Sequence, residues 1–151
     1  MNPRAALTVA DLRLRPPERL GEHTTLQEAT AAMLRERSTA VLLDGAVLRI
    51  LTELDVVRAV ALGRGPDARA AQFATPEPLT IDAATPVLEA VDLMVRHGVR
   101  HLVVADRARR VTGILAVQAA AAALLGSTEV PPWLPALRLA LRVEWREDVT
   151  T

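Results

Sequence analysis

Apolar positions along this chain follow two rhythms, and both rhythms occur twice in the same order. Leu26, Ala29, Thr30 and Met33 fall on one face of a helical period, and the run Ala40-Val41-Leu42-Leu43 that follows is apolar without interruption. Val87, Ala90, Val91 and Met94 form a matching helical face, followed by Leu102-Val103-Val104-Ala105. Spacing of three to four residues predicts helices with one buried stripe, and a short unbroken apolar run predicts a strand covered on both faces. Thr25-Leu26-Gln27-Glu28 has capping-box spacing, with Thr24 or Thr25 as the cap. Thr85-Pro86 sets a cap before a proline at the first helical position, and Gly98 suits a helix C-terminus. Asp44-Gly45 predicts a tight hairpin, and Asp106-Arg107-Ala108-Arg109-Arg110 a longer turn. Second strands, Val47-Leu48-Arg49-Ile50-Leu51 and Val111-Thr112-Gly113-Ile114-Leu115, lead into helices around 53–62 and 117–125.

Each unit therefore reads helix, strand, hairpin, strand, helix, and the residues repeat as well as the pattern. Glu28/Glu89, Ala29/Ala90 and Met33/Met94 each stand 61 positions apart, as do Leu12/Phe73, Pro17/Pro78, Leu20/Ile81 and Thr24/Thr85. Three extra residues in the second copy then set Ile50-Leu51 against Ile114-Leu115, 64 positions on. Repeats of this size bury their apolar faces against each other, so the fold is α/β (α+β) with two tandem copies. The copies occupy residues 1–64 and 65–126, joined at Gly63-Arg64-Gly65-Pro66-Asp67, with 127–151 as a C-terminal extension.

Composition narrows the function classes. The chain has 151 residues, half of them apolar, with three aromatics, Phe73, Trp133 and Trp145. A core of Ala, Val, Leu and Ile suits helices closely packed on a buried sheet. Zero net charge gives no global field toward nucleic acid or acidic membrane. All basic residues are Arg, which codon usage explains more simply than a phosphate-binding surface does. Without Cys there is no disulfide, thiolate metal site or Cys nucleophile. No apolar run approaches a membrane span and the N-terminus holds no signal-peptide core, so a soluble cytoplasmic protein is expected. His23, His97 and His101 form no metal spacing with nearby carboxylates. Ser38 and Ser127 sit in no nucleophile elbow, and no phosphate-binding loop with its Lys exists, so no catalytic activity is expected.

Several motifs carry a family resemblance in their order and duplication: Val9-Ala10-Asp11-Leu12, Thr24 with Glu28-Ala29 and Met33, Ile50-Leu51-Thr52-Glu53-Leu54-Asp55, and His97-Gly98-Val99-Arg100-His101-Leu102-Val103-Val104. Over about residues 8 to 126 the chain resembles a CBS-domain pair (a Bateman module). The resemblance implies two βαββα-type repeats about a pseudo-two-fold axis, ligand clefts between their sheets, and a homodimer. It also implies a regulatory module, serving an unidentified partner protein, that binds an adenine nucleotide such as AMP, ADP or ATP. In such modules the second strand commonly ends Gly-h-x-Ser/Thr-x-x-Asp/Asn (h apolar), whose hydroxyl and carboxylate hold the ribose.

Thr52 and Asp55 match that pattern in the first copy. Residues at a strand end and three positions on face one cleft, and an ionised Asp accepts from both ribose hydroxyls. Both are also preferred helix caps, and capping alone is the competing reading. Arg49 replaces the usual glycine, where it would either fill the ligand's space or reach a phosphate. By the resemblance, Thr80, Arg100 and His101 complete this cleft from the second copy; the competing role for Arg100 and His101 is an interface. The second copy has Ala116 and Ala119 at the two polar positions, set against Arg19, Thr39 and Ala40. Ribose hydroxyls buried against two methyl groups would cost roughly 1–3 kcal/mol each, so one nucleotide site is expected rather than two. A rival reading is a ligand-free dimerisation scaffold with both clefts degenerate.

In the extension, Leu137, Leu139, Leu141, Val143 and Trp145 alternate with polar or small residues, which favours a strand with one buried face. A helix would gather Leu134, Leu137, Leu141 and Trp145 but leave Leu139 and Val143 on its wet side.

Overall fold

The computed structural model describes residues 6–126, so the extension and its Leu137–Trp145 segment lie outside the described residues. Two sheets form. One has the order β1-β2-β3-β4, with β1 (Arg19–Gly21), β2 (Ala40–Asp44), β3 (Arg49–Thr52) and β4 (Thr75–Pro76). The other has β5 (Thr80–Asp82), β6 (His101–Ala105) and β7 (Val111–Ala116). In each sheet the first pair is parallel and the second antiparallel. Helices α1 (Leu26–Glu36) and α2 (Glu53–Ala61) cover the first sheet, and α3 (Val87–His97) and α4 (Val117–Gly126) the second.

Strand alternation builds three cores. Val41, Leu43 and Leu51 pack under α1 and α2, while Leu102, Val104 and Leu115 pack under α3 and α4. The opposite faces, through Ala40, Leu42, Ile50 and Val103, meet each other. Strands buried on both sides have to be continuously apolar, which is how β2 and β6 read.

The capping box at α1 forms as expected: Thr25 N–H donates to Glu28 Oε2 at 2.9 Å, and Glu28 N–H to Thr25 Oγ1 at 3.2 Å. Gly98 ends α3 at φ 64°. The start of α3 differs from expectation by one residue, Pro86 being the cap and Val87 the first helical residue. The cause is tertiary. Val9 N–H donates to Thr85 O and Val87 N–H to Leu7 O, holding Thr85-Pro86 extended against the N-terminal segment. The hairpin after Asp44 is also longer than a two-residue turn, and β3 begins at Arg49 rather than Val47. Asp44 is held by Arg19 at 2.5–3.1 Å and Leu48 O accepts from Glu77 N–H, so both ends of the connection are tied elsewhere.

Packing cuts across the repeat. Val9, in the short 3-10 turn Val9–Leu12, is buried in the second core. Reciprocally, Ala70 and Ala74 are buried in the first core, and Ala68 O and Pro66 O accept from Leu26 and Gln27 N–H at the head of α1. Each core is closed by a segment from the other copy's side of the chain.

Candidate functional site

Thr52 ends β3 and caps α2. Its N–H and its hydroxyl both donate to Asp55 Oδ2 at 2.9 Å, and Arg58 Nη1 donates to Oδ1 at 3.2 Å. Asp55 is 5% exposed, the one buried polar or charged residue among those described. The same two bonds occur at Thr8 and Asp11, at 2.8 and 2.9 Å, on the exposed surface. Thr-x-x-Asp is thus a general cap in this chain, and its burial distinguishes the Asp55 copy.

Thr39 links the repeats beside this pair. Its carbonyl accepts from Glu53 N–H at 3.0 Å, and its hydroxyl lies 2.6 Å from His101 Nε2. Burial pushes the His101 imidazole down to about 4; the Arg100 cation adds to the shift and the Asp55 carboxylate opposes it. His101 is therefore neutral near pH 7, and it feels Asp55 from the opposite repeat. Thr80 and Arg100 are not joined to the pair by hydrogen bonds: the exposed Thr80 hydroxyl donates to Pro78 O at 2.9 Å, and the carbonyl of the exposed Arg100 accepts from Val117 N–H. Arg49 donates to Ala74 O at 3.5 Å and lines a separate groove with Glu22, Asp44 and Arg69.

An inter-repeat cavity of about 300 Å³ does exist, over Ala116 and Ala119. His101, Thr39 and Ala40 line it; Arg19 does not, being turned to Asp44. Sequence reasoning missed Arg15, Glu18, Arg37 and Gln118, which also line it. Glu18 pairs with Arg35 through Oε1, while its buried Oε2 and the buried Gln118 Oε1 accept no hydrogen bond. Arg37 sits at φ 50°, a left-handed conformation, where the other copy has Gly98. That mismatch between repeat mates was readable in the sequence.

Residues 70–126 match the family model for the CBS domain. The chain also superimposes on solved structures of CBS-domain proteins. A CBS domain protein of Pyrobaculum aerophilum, complexed with AMP, is 26% identical with a TM-score of 0.69, over 90% of this chain and 98% of its own. This chain has the fold of a CBS-domain pair. Hypoxic Response Protein I, solved with two coordinated zinc ions, is 28% identical with a TM-score of 0.62, over 77% of this chain and 98% of its own. The CBS-domain-containing protein ATU1752 of Agrobacterium tumefaciens shares the fold at 24% identity and a TM-score of 0.70, over 78% of this chain and 98% of its own. No curated protein matches the sequence. Among the described residues of this CBS pair no group of three His, Cys, Asp or Glu side chains could hold a metal ion, and no helix is long and apolar enough to cross a membrane.

Proposed function

We propose that this CBS pair is a non-catalytic, cytoplasmic sensor that binds an adenine nucleotide between its repeats and signals to a partner protein. Asp55, buried and oriented by Thr52, is the observation that carries the reading, because it is a positioned carboxylate whose charge is felt by His101 of the opposite repeat. Thr52 and Asp55 serve the ribose; Thr80, Arg100 and His101 form the opposite wall, with Arg100 toward phosphate. The AMP bound by the Pyrobaculum relative supports the ligand class. A ligand touching both repeats favours whichever relative orientation it binds better, and that difference is the signal.

The uncovered apolar side chains Leu34, Leu54, Val57, Leu88 and Val95 support a homodimer, in which a second copy buries them. A second reading comes from the cavity over Ala116 and Ala119, which offers space for a ligand in the other cleft.

Calorimetric titration with AMP tests both readings in three proteins. Asp55→Asn keeps an acceptor for the cap but removes the charge, and weakens binding at least tenfold, equivalent to about 1.4 kcal/mol. Ala119→Trp fills the other cavity and leaves binding unchanged. The reverse pattern assigns AMP to the second cleft. No heat with AMP, ADP or ATP at millimolar concentration sinks the sensor reading and leaves the scaffold.

A further inference from the structure

The Asp55 carboxylate offers about four lone-pair positions, and three are occupied. Thr52 N–H and Thr52 Oγ1 take two on Oδ2, and Arg58 Nη1 takes one on Oδ1. A ribose cis-diol needs two, so one donor has to leave. The Thr52 N–H is fixed by the backbone at the start of α2, and the Thr52 hydroxyl is local to the same cap. Arg58 is the donor free to go: it sits one turn along α2 with its side chain 60% exposed, while that of Asp55 is 7% exposed.

We infer that Arg58 is a selectivity residue for this cleft, competing with the ribose for Asp55 and favouring ligands that carry a phosphate over neutral nucleosides. The inference rests on the Thr52/Asp55 reading above. Displacing Arg58 leaves an exposed guanidinium without its carboxylate, one helical turn from Asp55. A phosphate gives that cation a new partner in fork geometry, and a neutral nucleoside does not. A ligand with a single ribose hydroxyl uses the one open position and leaves the Arg58 bond intact. Ion pairs with one exposed partner are weak, so the discrimination is modest, on the order of three- to fivefold.

The test is calorimetric titration of adenosine, 2′-deoxyadenosine and AMP into wild type, Arg58→Met, Arg58→Gln and Asp55→Asn, with thermal melts showing that each variant is folded. In Arg58→Met and Arg58→Gln, adenosine should bind about three- to fivefold more tightly, 2′-deoxyadenosine unchanged and AMP no more tightly than before. The AMP-to-adenosine preference of the wild type then shrinks by at least that factor. Equal changes for adenosine and 2′-deoxyadenosine, or none for either, overturn the role of Arg58 while Asp55-dependent AMP binding stands. Binding insensitive to Asp55→Asn, or absent in every protein, overturns the underlying site and the inference with it.

Discussion

Acidification should loosen the seam between the repeats through one residue, His101. Its imidazole is neutral in the folded state because burial pushes its pKa to about 4 from 6.5, with Arg100 adding to the shift and Asp55 opposing it. A group whose folded pKa is depressed in this way takes up a proton more readily when unfolded. Stability is therefore complete above about pH 6.5, falls as pH drops toward 4, and loses nothing further from this group below that. The full depression corresponds to about 3 kcal/mol, and some 2 kcal/mol of it should be gone by pH 5. The bound carboxylates do not obscure this window: Asp11, Asp44 and Asp106 are held below the usual 3.8 by Thr8, Arg19 and Arg110 respectively, so their losses come at lower pH. Urea unfolding at pH 7 and pH 5 gives the measurement, with His101→Gln as reference, since glutamine can still meet the Thr39 hydroxyl but does not titrate. Wild type should lose about 2 kcal/mol more than His101→Gln between the two pH values. Equal losses in the two proteins would refute a desolvated, neutral His101.

Four further outcomes follow from the backbone and the surface. Arg37→Gly should raise stability by about 0.5–1 kcal/mol, the relief of a left-handed residue less the entropy of glycine, and Gly98→Ala should lower it by about 1 kcal/mol; thermal melts read both. Gly113→Ala should cost about 1–3 kcal/mol in chemical denaturation, because its Cβ would lie 2.8 Å from Leu14 Cβ. Val57→Glu, at a residue 62% exposed on α2, should leave the fold intact and convert the proposed homodimer to a monomer in sedimentation; an unchanged dimeric mass would move the interface elsewhere, and a monomeric wild type would overturn the dimer.

Regular elements with several turns or a cap were readable from the chain. The α1 capping box, Gly98 at the end of α3, and the apolar runs of β2 and β6 each carry a local cause. The short strands β1, β4 and β5 were not readable by pattern, because two or three residues hold no period. The shift at Pro86 and the open hairpin after Asp44 are set by partners distant in sequence, Leu7, Val9, Arg19 and Glu77. Thr52 and Asp55 were visible as a pair, yet their spacing alone could not separate them from Thr8 and Asp11; burial does that. Glu18 escaped notice because it lies where a turn meets the other repeat, which no one-dimensional pattern encodes, whereas Arg37 is betrayed by its repeat mate Gly98.

The crossed covering of the two cores sets how this chain can be divided. A break in the exposed stretch 63–66 leaves one fragment with the first core and the Val9 plug of the second, and the other with the second core and the Ala70–Ala74 plug of the first. Neither piece can close its own apolar interior, but each holds the stopper the other lacks. Mixed together they should reassemble as a split protein, while each alone stays loose. Duplication here produced interlocked halves of a single folding unit, so the copy is the unit of inheritance and the pair is the unit of stability.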